Sequence, residues 1–157
     1  MAPCVGVPGS CAANEVWSFG NDTQVHLEKY IRLRARLKPY IAELAANVSA
    51  TGVPTLRPLW WEFPADPKTI GVNTQYMLGP DYLVAPVAVQ NATSREVYFP
   101  GDKDTRWHHV LDSTASAVEG GQTIVVEAPL DIIPVYTRDP RRILPFTPDG
   151  YSTPRIK

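Results

Sequence analysis

The chain has 157 residues, 44% of them apolar and 20% charged, a composition that excludes a disordered polar polymer and suits a globular domain. Its 15 basic and 16 acidic side chains leave a net charge of -1, which excludes the electrostatic footprint of a nucleic-acid binder. No apolar run approaches the roughly 20 residues of a membrane-spanning helix.

The first residues, Met1 to Ala13, are small and rich in Pro and Gly. They lack the basic start and apolar stretch of a signal peptide, and a poorly ordered segment is expected over 1–14. Cys4 and Cys11 both fall there; with no clustered histidines they do not make a metal site, and pairing with each other, pairing elsewhere and free thiols all stay open. Three of the five asparagines stand in Asn-x-Ser/Thr sequons, at Asn21, Asn47 and Asn91, which points to a secretory history.

A helix is predicted over Asn21–Thr51. Asn21, Asp22 and Thr23 supply capping oxygens, and Leu27, Tyr30, Ile31, Leu37, Ile41, Leu44 and Val48 recur at helical steps. Gly52 is the stop. Pro39 removes a donor inside the run, so a kink or a break into two helices is expected near Lys38. Arg32, Arg34, Arg36 and Lys38 scatter around the same cylinder and read as a solvated face. Thr55–Trp61 reads as extended, with Pro58 near its end or a bulge. Pro64–Pro67 is a turn, and a short turn or helix is expected over Asn73–Met77. Short strands follow at Tyr82–Val89, Glu96–Phe99, Trp107–Leu111, Thr123–Glu127 and Ile132–Thr137, separated by Gly, Pro, Asn and Asp. That spacing predicts an antiparallel sandwich. The end, from Pro145 to Lys157, reads as a flexible tail. A lone helix and strand cannot bury their own apolar faces, so the first half asks for a larger protein around it.

Eight motifs occur in order along the chain. They are Trp17-Ser18-Phe19-Gly20, Leu33-Arg34-Ala35-Arg36-Leu37-Lys38-Pro39-Tyr40, Gly52-Val53-Pro54-Thr55-Leu56-Arg57-Pro58-Leu59 and Glu62-Phe63-Pro64-Ala65-Asp66-Pro67. Then come Gln75-Tyr76-Met77-Leu78-Gly79-Pro80, Leu83-Val84-Ala85-Pro86-Val87, Tyr98-Phe99-Pro100-Gly101 and Ala128-Pro129-Leu130-Asp131-Ile132-Ile133-Pro134-Val135. This series resembles the C-terminal part of glycoside hydrolase family 31, the retaining α-glucosidases and α-xylosidases. The resemblance covers about Glu15 to Pro145. It implies the end of a (β/α)8 catalytic barrel over 15–80, comprising a late helix and the last strand, and a C-terminal β-sandwich over 81–145, with the tail at 146–157. Asp139-Pro140 departs from the family's usual Gly-Gly turn.

Retaining hydrolysis needs two carboxylates about 5–5.5 Å apart. The resemblance places both, as aspartates, on earlier barrel strands, and neither motif occurs here. No residue of this chain is therefore expected to be catalytic, and no cofactor or metal is implied. The implied substrate of the parent enzyme is an α-linked oligosaccharide or α-glycoside, and the missing barrel portion is an implied partner. Weak substrate-binding candidates are Trp60 and Trp61, whose rings could stack on a sugar, and Glu62 and Asp66, which flank a proline turn at the active-site end of the barrel strand. Against each stands a structural reading: core packing for the tryptophans, turn capping for Glu62 and Asp66. Arg57 reads as a buried ion-pair partner. His108 and His109, adjacent on a strand, point to opposite faces and read as surface residues; His26 reads as a half-exposed helical residue. The alternative to an enzyme fragment is an autonomous β-sandwich module that binds carbohydrate or another partner without catalysis; a truncated product with no function of its own is a third reading.

Overall fold

The computed structural model describes residues 20–144. The segments expected to be a poorly ordered start and a flexible tail, both cysteines, and Trp17 to Phe19 of the first motif lie outside those residues. The chain divides into two compact units between Lys38 and Pro39.

The described part of the first unit is the start of helix α1, Asn21–Thr51. The helix begins at Asn21, so the three predicted cap residues sit inside its first turn. The preceding residue is Gly20, whose carbonyl accepts from Gln24 N–H at 3.0 Å. Gln24 donates to Glu28 at 2.7 Å, and Arg32 lies 3.6 Å from the same carboxylate, four-residue spacings that place all three on one helix face. Ile31, expected on the buried face, is exposed, whereas Leu33 is buried.

In the second unit α1 continues from Pro39 to Thr51. It does not break into two helices at Pro39. The carbonyl left without its donor belongs to Ala35, an exposed residue, so water can satisfy it. Tyr40 and Leu44 are buried. Gly52, at φ +75°, ends the helix and donates to Val48 O at 2.9 Å, as expected of a positive-φ stop.

Everything after Gly52 is short and mostly antiparallel. The strands are β1 (Leu56–Arg57), β2 (Tyr76–Leu78), β3 (Tyr82–Val84), β4 (Ser94–Phe99), β5 (Arg106–His109), β6 (Val118–Glu119), β7 (Gln122–Glu127) and β8 (Val135–Thr137). Six form one sheet in the order β1-β2-β3-β8-β5-β6, and β4 pairs with β7 in a second. Register is set by pairs such as Met77 with Leu83, Leu83 with Tyr136 and Val97 with Ile124. Met77, Leu83, Trp107 and Tyr136 from the larger sheet share one core with Val97 and Phe99 of β4 and with Leu59, so the two sheets close on each other as a sandwich does. Phe99 meets Tyr136 edge-on at 4.7 Å, and buried Trp107 donates its indole N–H to Pro100 O at 3.0 Å.

Three sequence expectations need correction. Thr55–Trp61 is not one extended segment: after the two residues of β1 the chain turns into a four-residue helix, α2 (Leu59–Glu62), with extended Pro58 before it. Proline suits that entry because it brings no N–H to the first turn, where donors lack partners anyway. Burial of Leu59 rewards the turn. The segment around Asn73–Met77 is not helical; it ends in strand β2, paired on both sides. The strands predicted over Tyr82–Val89 and Ile132–Thr137 shrink to β3 and β8, since prolines at 86 and 134 interrupt the ladder.

One side chain performs a strand's work. Buried Gln75 donates its amide to Tyr98 O at 2.6 Å and accepts from Tyr98 N–H at 2.9 Å. It occupies the edge of β4 as a neighbouring peptide would and ties that sheet to the approach to β2.

Candidate functional site

The candidates from sequence gather on the segment from α2 to the 3-10 turn Pro67–Gly71, all within the second unit. The segment is held from below by an ion pair. Arg57, almost fully buried on β1, donates to the carboxylate of Glu62 and, through Nε, to Pro54 O at 2.7 Å. The buried ion-pair role read for Arg57 is the one it has, and its partner is Glu62 itself.

Asp66 caps the following 3-10 turn. Its Oδ1 accepts from Lys68 N–H at 3.1 Å, and its backbone carbonyl accepts from Thr69 Oγ1 at 2.7 Å. Its Oδ2 accepts from the Tyr98 hydroxyl. Burial first, and then the adjacent Asp66 carboxylate, push the Tyr98 phenol well above its usual range, so it remains a donor at any physiological pH. A cleft of about 560 Å³ lies over these groups, with Phe63, Lys68, Tyr98 and Asp102 among its walls. Among the described residues no cluster of His, Cys, Asp and Glu could hold a metal ion.

Trp60 and Trp61 are each 46% exposed, so they are not the core residues that their size favours. Because α2 is helical, the two rings do not alternate as they would on a strand; their centroids lie 6.0 Å apart with planes tilted by 57°. They do not line the cleft over Asp66. The structure therefore brings Glu62 and Asp66 to one cleft and leaves the tryptophans outside it.

Sequence reasoning passed over two groups. Tyr98 stands in the sequence only as part of a motif, yet it is the partner of Asp66 across 32 positions of sequence; nothing local marks it. His109, expected at the surface, is half-buried, with Nδ1 enclosed and unpartnered and its ring edge-on to Tyr136 at 5.2 Å. Burial holds its pKa below the ordinary 6.5, against a smaller opposing pull from Asp112. His108 and His26 are likewise half-buried.

The ordered motifs from Gly52 onward lie on a two-sheet antiparallel domain of the sandwich class, and two of its carboxylates, Glu62 and Asp66, are engaged in structural contacts. The comparisons with known proteins agree. Residues 52–141 match the model of the glycosyl hydrolase family 31 C-terminal domain, and the chain belongs to that family. It is 34% identical over 125 residues to alpha-glucosidase 2 of Bacillus thermoamyloliquefaciens, a match that covers 79% of this chain and 15% of that protein. It is 35% identical over 138 residues to an alpha-xylosidase of Saccharolobus solfataricus, covering 88% and 18%. Among solved structures it resembles a family 31 α-xylosidase from a soil metagenome, complexed with xylose, at a TM-score of 0.75 and 38% identity over 82% of this chain and 18% of that one. The chain thus spans less than a fifth of the length of these relatives.

Proposed function

We propose that this chain is the C-terminal part of a retaining α-glycosidase, where it supplies the end of the catalytic barrel and the sandwich that supports it, and that it has no hydrolytic activity alone. The parent enzyme acts on an α-linked glucoside or xyloside, and the rest of the barrel is the chain's partner. The observation that carries this reading is the commitment of Glu62 and Asp66. One carboxylate faces a buried guanidinium, and the other caps a turn while it accepts from a tyrosine. Both groups hold the segment together, and neither of the two aspartate motifs that retaining hydrolysis needs occurs in the chain. The three sequons support a secretory route for the parent.

The test is an assay of the purified chain with chromogenic α-glucoside and α-xyloside, alone and mixed with the upstream portion of the protein expressed separately. No turnover alone and turnover on mixing is the expected result. Hydrolysis by the chain alone that disappears in Glu62→Gln or Asp66→Asn overturns the proposal.

A second reading, an autonomous carbohydrate-binding module, has one observation in its favour: two half-exposed tryptophans side by side on α2. Titration of the chain with maltotriose and isomaltotriose decides it. Binding that is lost in Trp60→Ala or Trp61→Ala supports the module; no heat at millimolar sugar removes it.

A further inference from the structure

The three sequons are alike as sequence and unlike as structure. Asn47 lies about one turn from the C-terminal end of α1, where the hydroxyl of its sequon partner Ser49 is turned back to donate to Ala45 O at 3.1 Å. The Asn47 carbonyl accepts from Thr51 Oγ1 at 2.8 Å, and its Oδ1 lies 3.4 Å from the same hydroxyl. Asn21 opens α1, so its backbone and that of Thr23 are both helical. A helix holds the asparagine amide and the hydroxyl two residues on about 200° apart around its axis, on different faces. An enzyme that must grip both at once has to unwind the turn first.

Asn91 is different. It sits in the turn between β3 and β4, closed by Ala92 N–H donating to Val89 O at 3.3 Å, and it is the one non-glycine residue among those described with positive φ, at 61°. Asparagine tolerates that conformation better than most residues. Asn91 and Thr93 are both exposed. Thr93 spends only its backbone carbonyl, which accepts from Ala128 N–H at 2.8 Å. The sequon therefore offers its amide and its hydroxyl to solvent on a loop, with no regular element to undo.

We propose that Asn91 is the N-glycan acceptor of this domain. The donor is a lipid-linked oligosaccharide pyrophosphate of the secretory membrane. Asn91 Nδ2 attacks the anomeric carbon of the first sugar, an N–C bond forms, the C–O bond to the pyrophosphate breaks, and the lipid pyrophosphate leaves with the electron pair. The amide proton passes to a base of the transferase, so no oxidant or reductant is involved. Asn21 and Asn47 stay largely unmodified. This goes beyond the glycosidase reading and takes from it only the secretory route, which the experiment supplies.

The experiment is translation of the full chain behind a cleavable leader in the presence of microsomes, read by gel shift before and after removal of N-glycans. Release in heavy-oxygen water then marks each occupied asparagine by mass. One glycan is expected. Asn91→Gln and Thr93→Ala should abolish the shift, and Thr93→Ser should reduce it, whereas Asn47→Gln and Asn21→Gln should leave it. No shift in the wild-type chain, or a shift of full size that survives Asn91→Gln, overturns the proposal. Leader cleavage in the same lanes shows that the chain entered the microsomes, so a missing shift reports on the sequon and not on entry.

Discussion

Gln75 shows how much one side chain can carry. Its amide satisfies both backbone groups of Tyr98, and all of these atoms are buried. Gln75→Ala would leave a buried N–H and a buried carbonyl without partners, at a cost of about 3 kcal/mol. A urea melt should show the midpoint falling with little change in slope, and Gln75→Glu should fare no better, because a carboxylate cannot donate to Tyr98 O. His109 gives the residue-scale pH prediction. Its folded pKa lies below the unfolded one, so as pH falls the unfolded chain takes up the proton first. Stability rises with pH wherever the unfolded state binds more protons, so the contribution is whole above about pH 6.5 and drains away as pH falls below it. The wild type should lose more stability between pH 7.5 and 5.5 than His109→Phe, in paired melts at the two values.

At the scale of elements, the turn between β2 and β3 is fitted to the last turns of α1. Tyr40 donates to Leu78 O at 3.0 Å and stacks edge-on against Tyr82 at 5.1 Å. A Cβ on Gly79 would run into the Tyr40 hydroxyl and Leu44, at a φ of +61°. Gly79→Ala therefore combines left-handed strain with overpacking and should cost about 2–4 kcal/mol, whereas Tyr40→Phe, which loses only a hydrogen bond, should cost about 1. Thermal melts of the two variants should rank them in that order. The helix itself was legible from end to end: apolar spacing and a terminal glycine gave Asn21–Thr51, the observed span. The buried face was less so, because Leu33 and Tyr40 share their turns with Ile31, Leu37 and Ile41, and only the packed structure selects among them. Strands of two or three residues, such as β1 and β6, carry too few positions for an alternating pattern to appear. Leu-Trp-Trp favours β structure in isolation, which hides the helical turn α2, and the Arg57–Glu62 pair that closes around it spans five positions, a spacing that marks neither a strand face nor a regular helical step. The roles of Glu62 and Asp66 were half legible. Asp-Pro announces a capped turn, and the same device opens the second 3-10 turn at Asp139, whose carboxyl the Arg141 side chain and N–H hold down to about 2. Tyr98, arriving from another sheet, was beyond reach of any local pattern.

For the molecule as a whole, the informative feature is apolar surface left outside. Leu56, Trp60, Trp61 and Ile70 are all exposed, and all lie in the stretch between α1 and β2. Side chains of that size in one short stretch are more than a free-standing domain usually leaves in water. On the proposed reading, the rest of the barrel covers this surface. The tryptophans are the sharpest probe, because each keeps nearly half its area in solvent and so has less packing to lose on truncation than the fully buried Trp107. Replacing both, Trp60→Ser with Trp61→Ser, should lower binding of a hydrophobic dye and reduce self-association in light scattering, while the melting temperature falls by less than it does in Trp107→Ser, which empties a fully buried site. The same pair of changes should weaken reconstitution with the upstream portion by tenfold or more if the rings are contact residues, since buried tryptophans dominate interface energies. A variant that reconstitutes as well as the wild type would free the tryptophans from that role and return them to the sugar-stacking reading, where oligosaccharide titration takes over as the deciding measurement.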